Sequence, residues 1–221
     1  MNKACCHFRT ITKHKLLVMR ACFKMGLIGQ GLLHDLSKYS PTEFLAGARY
    51  WQGDRSPNNA EREALGVSNS WLHHKGRNRH HFEYWIDYDP GHKYFIAGMP
   101  IPRRYVAEMI ADRIGASRVY LGDAYTDAAP LIYYDRSRDK LWFVHRDVRD
   151  QLTYLLSRLA CYGEEATLSY IRDVFLKQGD QTWTRPPDFD TIRDKAQVIA
   201  GESEEVANRF RSSEDSGNII V

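Results

Sequence analysis

The stretch GLLHDLSKYSPTEF, residues 31–44, sets an adjacent His34-Asp35 pair at the end of an apolar run and follows it with Lys38 and a helix start. A helix that buries Leu32, Leu33 and Leu36 has no ordinary use for an imidazole and a carboxylate side by side. Buried polar groups need partners, and a buried carboxylate needs a cation or several donors. Asp35 also falls at the wrong end of such a helix, because the C-terminal end favours cations. A metal ion answers both objections. Downstream, Ser40-Pro41-Thr42-Glu43 reads as a capping box with proline at the first helical position, so a new helix starts there and runs to about Trp51.

Outward from this stretch, the apolar spacing predicts a helix from near Thr12 to Lys24 and a second from about 24–27 to Lys38 that carries the doublet. Gly26, Gly29 and Gly31 lower the helix propensity of the second but permit close packing. GDRSPNN is a loop, 61–74 a helix, Gly76 a break, and 77–87 a resumed helix; DYDPGHKYFIAGMPIP is a turn-rich loop. Helix returns over 103–114, with Val106, Met109 and Ile110 as its apolar stripe. A polar insert over 122–140 precedes helices at 144–159 and 165–178, and a weak helical pattern over 191–210 leads into the polar end SSEDSGN. The fold class expected is all-α: one helical domain over 1–185, and a weakly helical to disordered tail over 186–221.

With 221 residues, 43% of them hydrophobic, the chain can bury one good-sized core. Its 31 basic and 28 acidic residues are well mixed, giving a net charge of +3 without a basic tract. That balance argues against nucleic acid as a partner and suits a small anionic substrate. No run approaches the roughly 18 apolar residues of a membrane helix, and MNKACCHFRTITKHK lacks the apolar segment of a secretory signal. A cytoplasmic protein with no membrane partner is expected. Cys5, Cys6, Cys22 and Cys161 form no CxxC pair and no disulfide framework, and Cys5-Cys6-His7 reads as part of a loose terminus.

The distribution of the nine histidines is more informative than their number. His14 lies in the first helix, and HHKGRNRHH places His73, His74, His80 and His81 on both sides of a glycine. Asp112 ends the helix that begins near Arg103. His14 or Asp112 alone reads as an ordinary surface or helix-end position; two histidine pairs around one break do not. Imidazole and carboxylate without thiolate suit iron, manganese, cobalt, nickel or zinc. An aspartate shared by two such ions holds them roughly 3.5–4 Å apart and acidifies a water between them.

His14 in ITKHKLL, His34-Asp35 in GLLHDLSK and Asp112 in AEMIADRIG resemble, in order and spacing, the HD-domain superfamily of metal-dependent phosphohydrolases. HHKGRNRHH fits the extra histidines of its two-metal members. More closely, GLLHDLSKYSPTEF, NRHHFEYW and EMIAD resemble an uncharacterised HD-like family, over positions 12–115. The resemblance implies an HD-like helical bundle holding one or two divalent transition-metal ions (Fe, Mn, Co, Ni or Zn). It assigns His14, His34, Asp35 and Asp112 to one ion, with Asp35 bridging to a second held by His74 and by His80 or His81. His74 is preferred to His73 because it lies nearer the break; His80 and His81 stay open, and one of them can contact substrate instead. Lys38, placed as in signalling-nucleotide HD domains, faces the substrate phosphate. Beside these, Arg77 and Arg79 are phosphate-clamp candidates or solvated surface, Asn78 is a candidate to order a histidine, and Glu108, four before Asp112 on the same face, reads first as a packing-rim carboxylate and second as one that orients a ligand or water. No GYP follows HHKG, so cyclic dinucleotide specificity does not carry over.

The function this implies is metal-dependent hydrolysis of a phosphate mono- or diester, of a nucleotide in the first instance, through a metal-activated water. Two alternatives stand beside it: an HD-type mixed-valent di-iron oxygenase built on the same ligands, and a non-catalytic helical binding protein that need not retain the metals. In the last, Leu152, Leu155, Leu156 and Leu159 pack on the core or on a second copy in a homodimer. Phe82, Tyr84, Trp85 and Tyr88 read as core and pocket wall before they read as a base-stacking platform.

Overall fold

The structure, a computed structural model, describes residues 2–91, 94–180 and 183–203. Asn2 accepts a hydrogen bond from the Ala4 amide at 3.0 Å and caps helix α1 (Lys3–Lys24), which starts well before the expected Thr12. His7, Ile11, His14, Val18 and Ala21, three or four apart, form its inward face. The segment read as a loose terminus is therefore the first turn of a buried stripe, with Cys6 and His7 inside. The stripe continues N-terminal to Thr12 through Cys6 and His7, residue types that do not read as apolar spacing.

The second expected helix is much shorter. α2 (Ile28–Leu33) ends before the doublet, and a single 3-10 turn follows over Leu36–Tyr39. Leu32, Leu33 and Leu36 are exposed, at 52%, 66% and 47%, contrary to the expectation that they are buried. α2 docks through Gly31, where an added Cβ would lie 3.0 Å from Cys22 and 3.1 Å from Phe23, so the glycine makes the contact the leucines were expected to make. α3 (Pro41–Tyr50) starts as foreseen at Ser40-Pro41. The helix expected over 61–74 is two: α4 (Pro57–Leu65) stops at Gly66, φ 74°, and α5 (Asn69–Lys75) starts at Ser68, whose Oγ accepts from the Trp71 amide.

No helix resumes at Arg77. The chain turns, makes a 3-10 turn over Phe82–Trp85, and pairs β1 (Ile86–Tyr88) with β2 (Ile96–Gly98) as an antiparallel hairpin, Ile86 opposite Gly98. Among the described residues the fold is thus predominantly helical with one small hairpin, which starts at the end of the expected helix and lies mostly in the segment expected to be loop. Gly98 donates its N–H to the Phe143 carbonyl at 2.6 Å, an approach that a Cβ would block.

α6 (Arg103–Leu121) is the central element. Val106, Ala107, Met109, Ile110 and Ala111 are fully buried, as expected of a helix surrounded by others. α1 covers one side through Val18, Ala21 and Cys22, and Leu152, Leu155, Leu156 and Leu159 belong to the same core from the other. The expected polar insert contains α7 (Ala129–Arg138). The helices expected over 144–159 and 165–178 meet in α8 (Arg146–Tyr170), kinked at Gly163 (φ 81°), where Asp127 Oδ2 accepts from the Glu164 amide as a second cap. α9 (Phe189–Glu202) buries Phe189, Ile192 and Ala196 against α8, with Phe189 stacked on Tyr154. The expected tail therefore begins as a core helix, and its stretch 204–221 lies outside the described residues. Among the described residues no helix is long and apolar enough to cross a membrane.

Gly115 sets the closeness of α1 and α6: an added Cβ would lie 2.7 Å from Val18 Cγ2 and 3.4 Å from His14 Nδ1. Gly115→Val is expected to lower stability by about 2–3 kcal/mol through overpacking, read as a shift of the denaturant midpoint. An unshifted midpoint would show that the two helices have room to spare.

Candidate metal centre

The doublet sits at a break between helices. His34 is extended (φ −49°, ψ 125°), and Asp35 is left-handed (φ 54°, ψ 23°), the one non-glycine residue with positive φ among those described. In a helix, neighbouring side chains diverge by about 100°; here the turn brings both onto one point. Left-handed backbone costs roughly 1–2 kcal/mol for most L residues and is tolerated best by Asn and Asp. Lys15 fastens the turn to α1, donating from Nζ to the carbonyls of Leu32 and His34, both at 2.8 Å.

Two sets of ligand-type atoms meet at the Asp35 carboxylate. Oδ2 lies 3.5 Å from His14 Nε2 and 3.3 Å from His34 Nε2, while Asp112 Oδ1 lies 2.9 Å from His14 Nε2 and 3.6 Å from His34 Nε2. Oδ1 lies 3.3 Å from His74 Nε2 and 3.4 Å from His80 Nε2, and His81 completes that set. Within each set the atoms lie within 4.8 Å of one another. Ligands about 2.1 Å from one ion stand roughly 3.0–3.4 Å apart in octahedral or tetrahedral geometry, so these separations suit a metal ion in each set. Asp35 Oδ1 and Nε2 of His74, His80 and His81 are buried without a hydrogen-bond partner. That many unsatisfied buried atoms aimed at two points is the pattern of a ligand shell. The donors contain no thiolate, in keeping with a divalent transition metal.

Outer carboxylates fix the rings. Glu108 Oε1 accepts from Nδ1 of His34 at 2.9 Å and of His80 at 3.2 Å, so one oxygen holds an imidazole of each set. Glu43 accepts from Nδ1 of His73 at 2.6 Å and of His74 at 2.8 Å. A carboxylate can only accept, so these Nδ1 atoms carry hydrogens, and Nε2 of His34, His74 and His80 is the ring nitrogen turned toward Asp35. Burial by itself would raise the pKa of Asp35 and Asp112, but the imidazoles around them, and for Asp35 also Lys38, hold both well below the usual carboxylate range. Glu108, likewise buried, is brought down to about 2 by its bonds to His34 and His80. His81 is driven well below the ordinary imidazole value by burial and by its neighbours His80 and His74.

The structure thus gathers His14, His34, Asp35, His74, His80, His81 and Asp112, although positions 14 and 112 are far apart in the chain. His73 turns to Glu43 and away from Asp35. Lys38 Nζ lies 2.6 Å from Asp35 Oδ2 and is the cation that faces it. Asn78 donates to the His74 carbonyl at 2.8 Å and to Ser37 Oγ at 2.9 Å, bracing that histidine. A cavity lined by His14, His74, His81, Asp112 and Lys38 opens on the centre. Arg77 and Arg79 do not line it; they belong to a groove behind His34, His80 and Glu108, where Arg79 bonds the hydroxyls of Tyr84 and Tyr105. Phe82 is core, whereas Tyr88 is exposed on the hairpin.

Sequence reasoning missed Glu43, and it did not single out Arg113, which lines the same cavity. Glu43 was read as the second half of a capping box, yet it is 95% buried and engaged with two imidazoles. The available signal was Gly47, one turn on, which marks the close-packed face of α3: a Cβ there would collide with the His7 ring.

The chain belongs to a family described as "Family of unknown function (DUF5662)", which matches residues 3–158 and so spans every residue of the centre. Comparison with the curated proteins and with the solved structures finds no match.

Purified protein is expected to carry two transition-metal ions per chain by elemental analysis. Glu108→Gln should weaken both by about 10–100-fold in chelator competition, because it releases one histidine of each set. Weakening of only one ion would refute the shared role.

Proposed function

We propose that the protein is a metal-dependent phosphohydrolase with an HD-like centre, acting on a phosphate mono- or diester. One observation carries this reading: the two oxygens of Asp35 face two separate sets of imidazole nitrogens at the end of one cavity. His14, His34, Asp35 and Asp112 would hold one divalent ion, and Asp35, His74, His80 and His81 the other. Ions held there supply Lewis-acid charge to a phosphoryl oxygen and lower the pKa of water. The chain's own part is to fix geometry and charge. Glu108 and Glu43 keep protons on the outer ring nitrogens, so the inner ones remain donors. Lys38, part-buried and 2.6 Å from Asp35, places a cation where the substrate's negative charge arrives. No role in substrate binding is given to Arg77 or Arg79, which line the other groove.

The test is a panel of nucleoside monophosphates, cyclic nucleotides and simple phosphate esters, assayed separately with manganese, iron, cobalt, nickel and magnesium. Turnover of at least one is expected, and Asp35→Asn should lower it by at least about 10²-fold, a barrier rise of roughly 3 kcal/mol. Full activity in Asp35→Asn refutes the bridging role. Silence across the panel from fully metallated protein rejects the hydrolase reading.

A further inference from the structure

Arg113 follows Asp112 directly on α6, is part-buried, and lines the same cavity. Its guanidinium sits over the rings of Phe82 (5.3 Å) and Tyr134 (5.9 Å), which hold it in place. Its single hydrogen bond is from Nη1 to the Met109 carbonyl of its own helix, at 3.3 Å, and among the described residues no carboxylate forms an ion pair with it. The other charges of the cavity are matched. Lys38 is paired with Asp35, Asp112 with His14, and both oxygens of Glu43 with His73 and His74. Asp112 and Glu83 act on it only through their charge; a guanidinium offers five donors in a fixed fork suited to an oxyanion, so Arg113 keeps donors to spare for a ligand in the cavity.

The rest of the cavity has a different character. From the His14–Asp112 contact it runs back along α1 through Ile11 to His7 and forward along α6 through Val119 to Tyr120. Seven residues of helix cover about 10 Å, so this arm is long enough for an organic group of several atoms. It carries no arginine or lysine. His7 stays neutral there, since burial and the nearby Lys38 charge bring its pKa down to about 4. Ile11, Val119 and Tyr120 supply apolar and aromatic wall.

We infer that Arg113 holds the anionic group of the ligand and that the ligand's remainder is an uncharged, partly apolar organic group laid along α1 and α6 toward His7 and Tyr120. The identity of the anion as a phosphoryl group rests on the phosphohydrolase reading; the placement of charge and organic group rests on the cavity. A ligand with a second anionic group at its far end meets the apolar wall of Ile11 and Val119 and only the charge of Lys38, which Asp35 already engages, so the arm selects against it.

Non-hydrolysable probes separate binding from turnover. The manganese-loaded full chain is titrated calorimetrically with inorganic phosphate, phenylphosphonate and 4-carboxyphenylphosphonate. Phenylphosphonate is expected to bind at least about tenfold more tightly than inorganic phosphate, and the added carboxylate to cancel that gain. Arg113→Gln should weaken inorganic phosphate and phenylphosphonate alike by about tenfold or more at unchanged manganese content, with partial recovery in Arg113→Lys. Wild-type affinity in Arg113→Gln overturns the anchor, and equal affinity of the wild type for phosphate and phenylphosphonate overturns the organic arm. Should Arg113→Gln not fold, Tyr120→Glu tests the arm alone: it should erase the phenylphosphonate gain and spare inorganic phosphate, and an undiminished gain overturns the inference. Arg113-dependent phosphonate binding by a protein that hydrolyses no ester keeps this inference and rejects the hydrolase reading. Hydrolysis with a KM indifferent to Arg113→Gln does the reverse.

Discussion

A fully buried carboxylate surrounded by four imidazoles is the constraint on which the rest of this structure depends. Burying an ion such as Asp35 costs several kcal/mol after relaxation, and only opposite charge and directed donors offset it. The surroundings are arranged to that end. His14 and His34 face one oxygen, His74 and His80 the other, and Lys38 stands beside them. The left-handed backbone at Asp35 has the same origin: a helical doublet would send the two side chains apart, and the turn brings them together at the expense of α2, which stops after six residues. Lys15 then takes the helix-end carbonyls that the early stop leaves free.

The centre also explains how the helices pack. Its residues come from α1, the turn after α2, α5, the segment before the hairpin, and α6, so it can exist only where those elements meet. Glycines stand at two of the meeting points. Gly115 lets α6 close on Val18 and His14, and Gly47 lets α3 close on His7. Glu108 and Glu43 extend the network into α6 and α3, each accepting from two histidines. A fold assembled in this way couples its stability to whatever occupies the centre, because a ligand that binds only the assembled set stabilises the native state.

What the sequence disclosed follows from the kind of signal each feature left. α3, announced by its Ser40-Pro41 cap, and α6, announced by its apolar stripe, were legible, and so was the break near Gly163. The start of α1 was not, because its inward stripe passes through Cys6 and His7, residue types that do not register as apolar periodicity. The brevity of α2 was hidden for the opposite reason: Leu32, Leu33 and Leu36 look like core and face solvent, while the contact is made by Gly31. Within the centre, the seven residues that converge were found by their order and by resemblance. Glu43 was not, since a glutamate three residues after a serine already has an explanation in capping. Arg113 left no signal at all; its significance lies in having no carboxylate partner, which only the three-dimensional neighbourhood reveals.

The two edges of the inner imidazoles explain why cations near the centre in sequence differ in what they can reach. His34 and His80 turn Nε2 to Asp35 and Nδ1 to Glu108, and their rings lie 4.5 Å apart, tilted by 36°. Together with Glu108 they form a partition. On one side is the cavity with Lys38 and Arg113; on the other is the groove with Arg77 and Arg79. Arg79 is occupied there by two tyrosine hydroxyls, and its neighbour Arg77 by the His73 carbonyl. Proximity to HHKGRNRHH in the chain therefore places these arginines near the metal-facing histidines but behind them. Arg113, which no motif highlighted, shares the open side because α6 carries it there one residue after Asp112. Helical phase decides which cation lines the cavity, and sequence distance from the histidines does not.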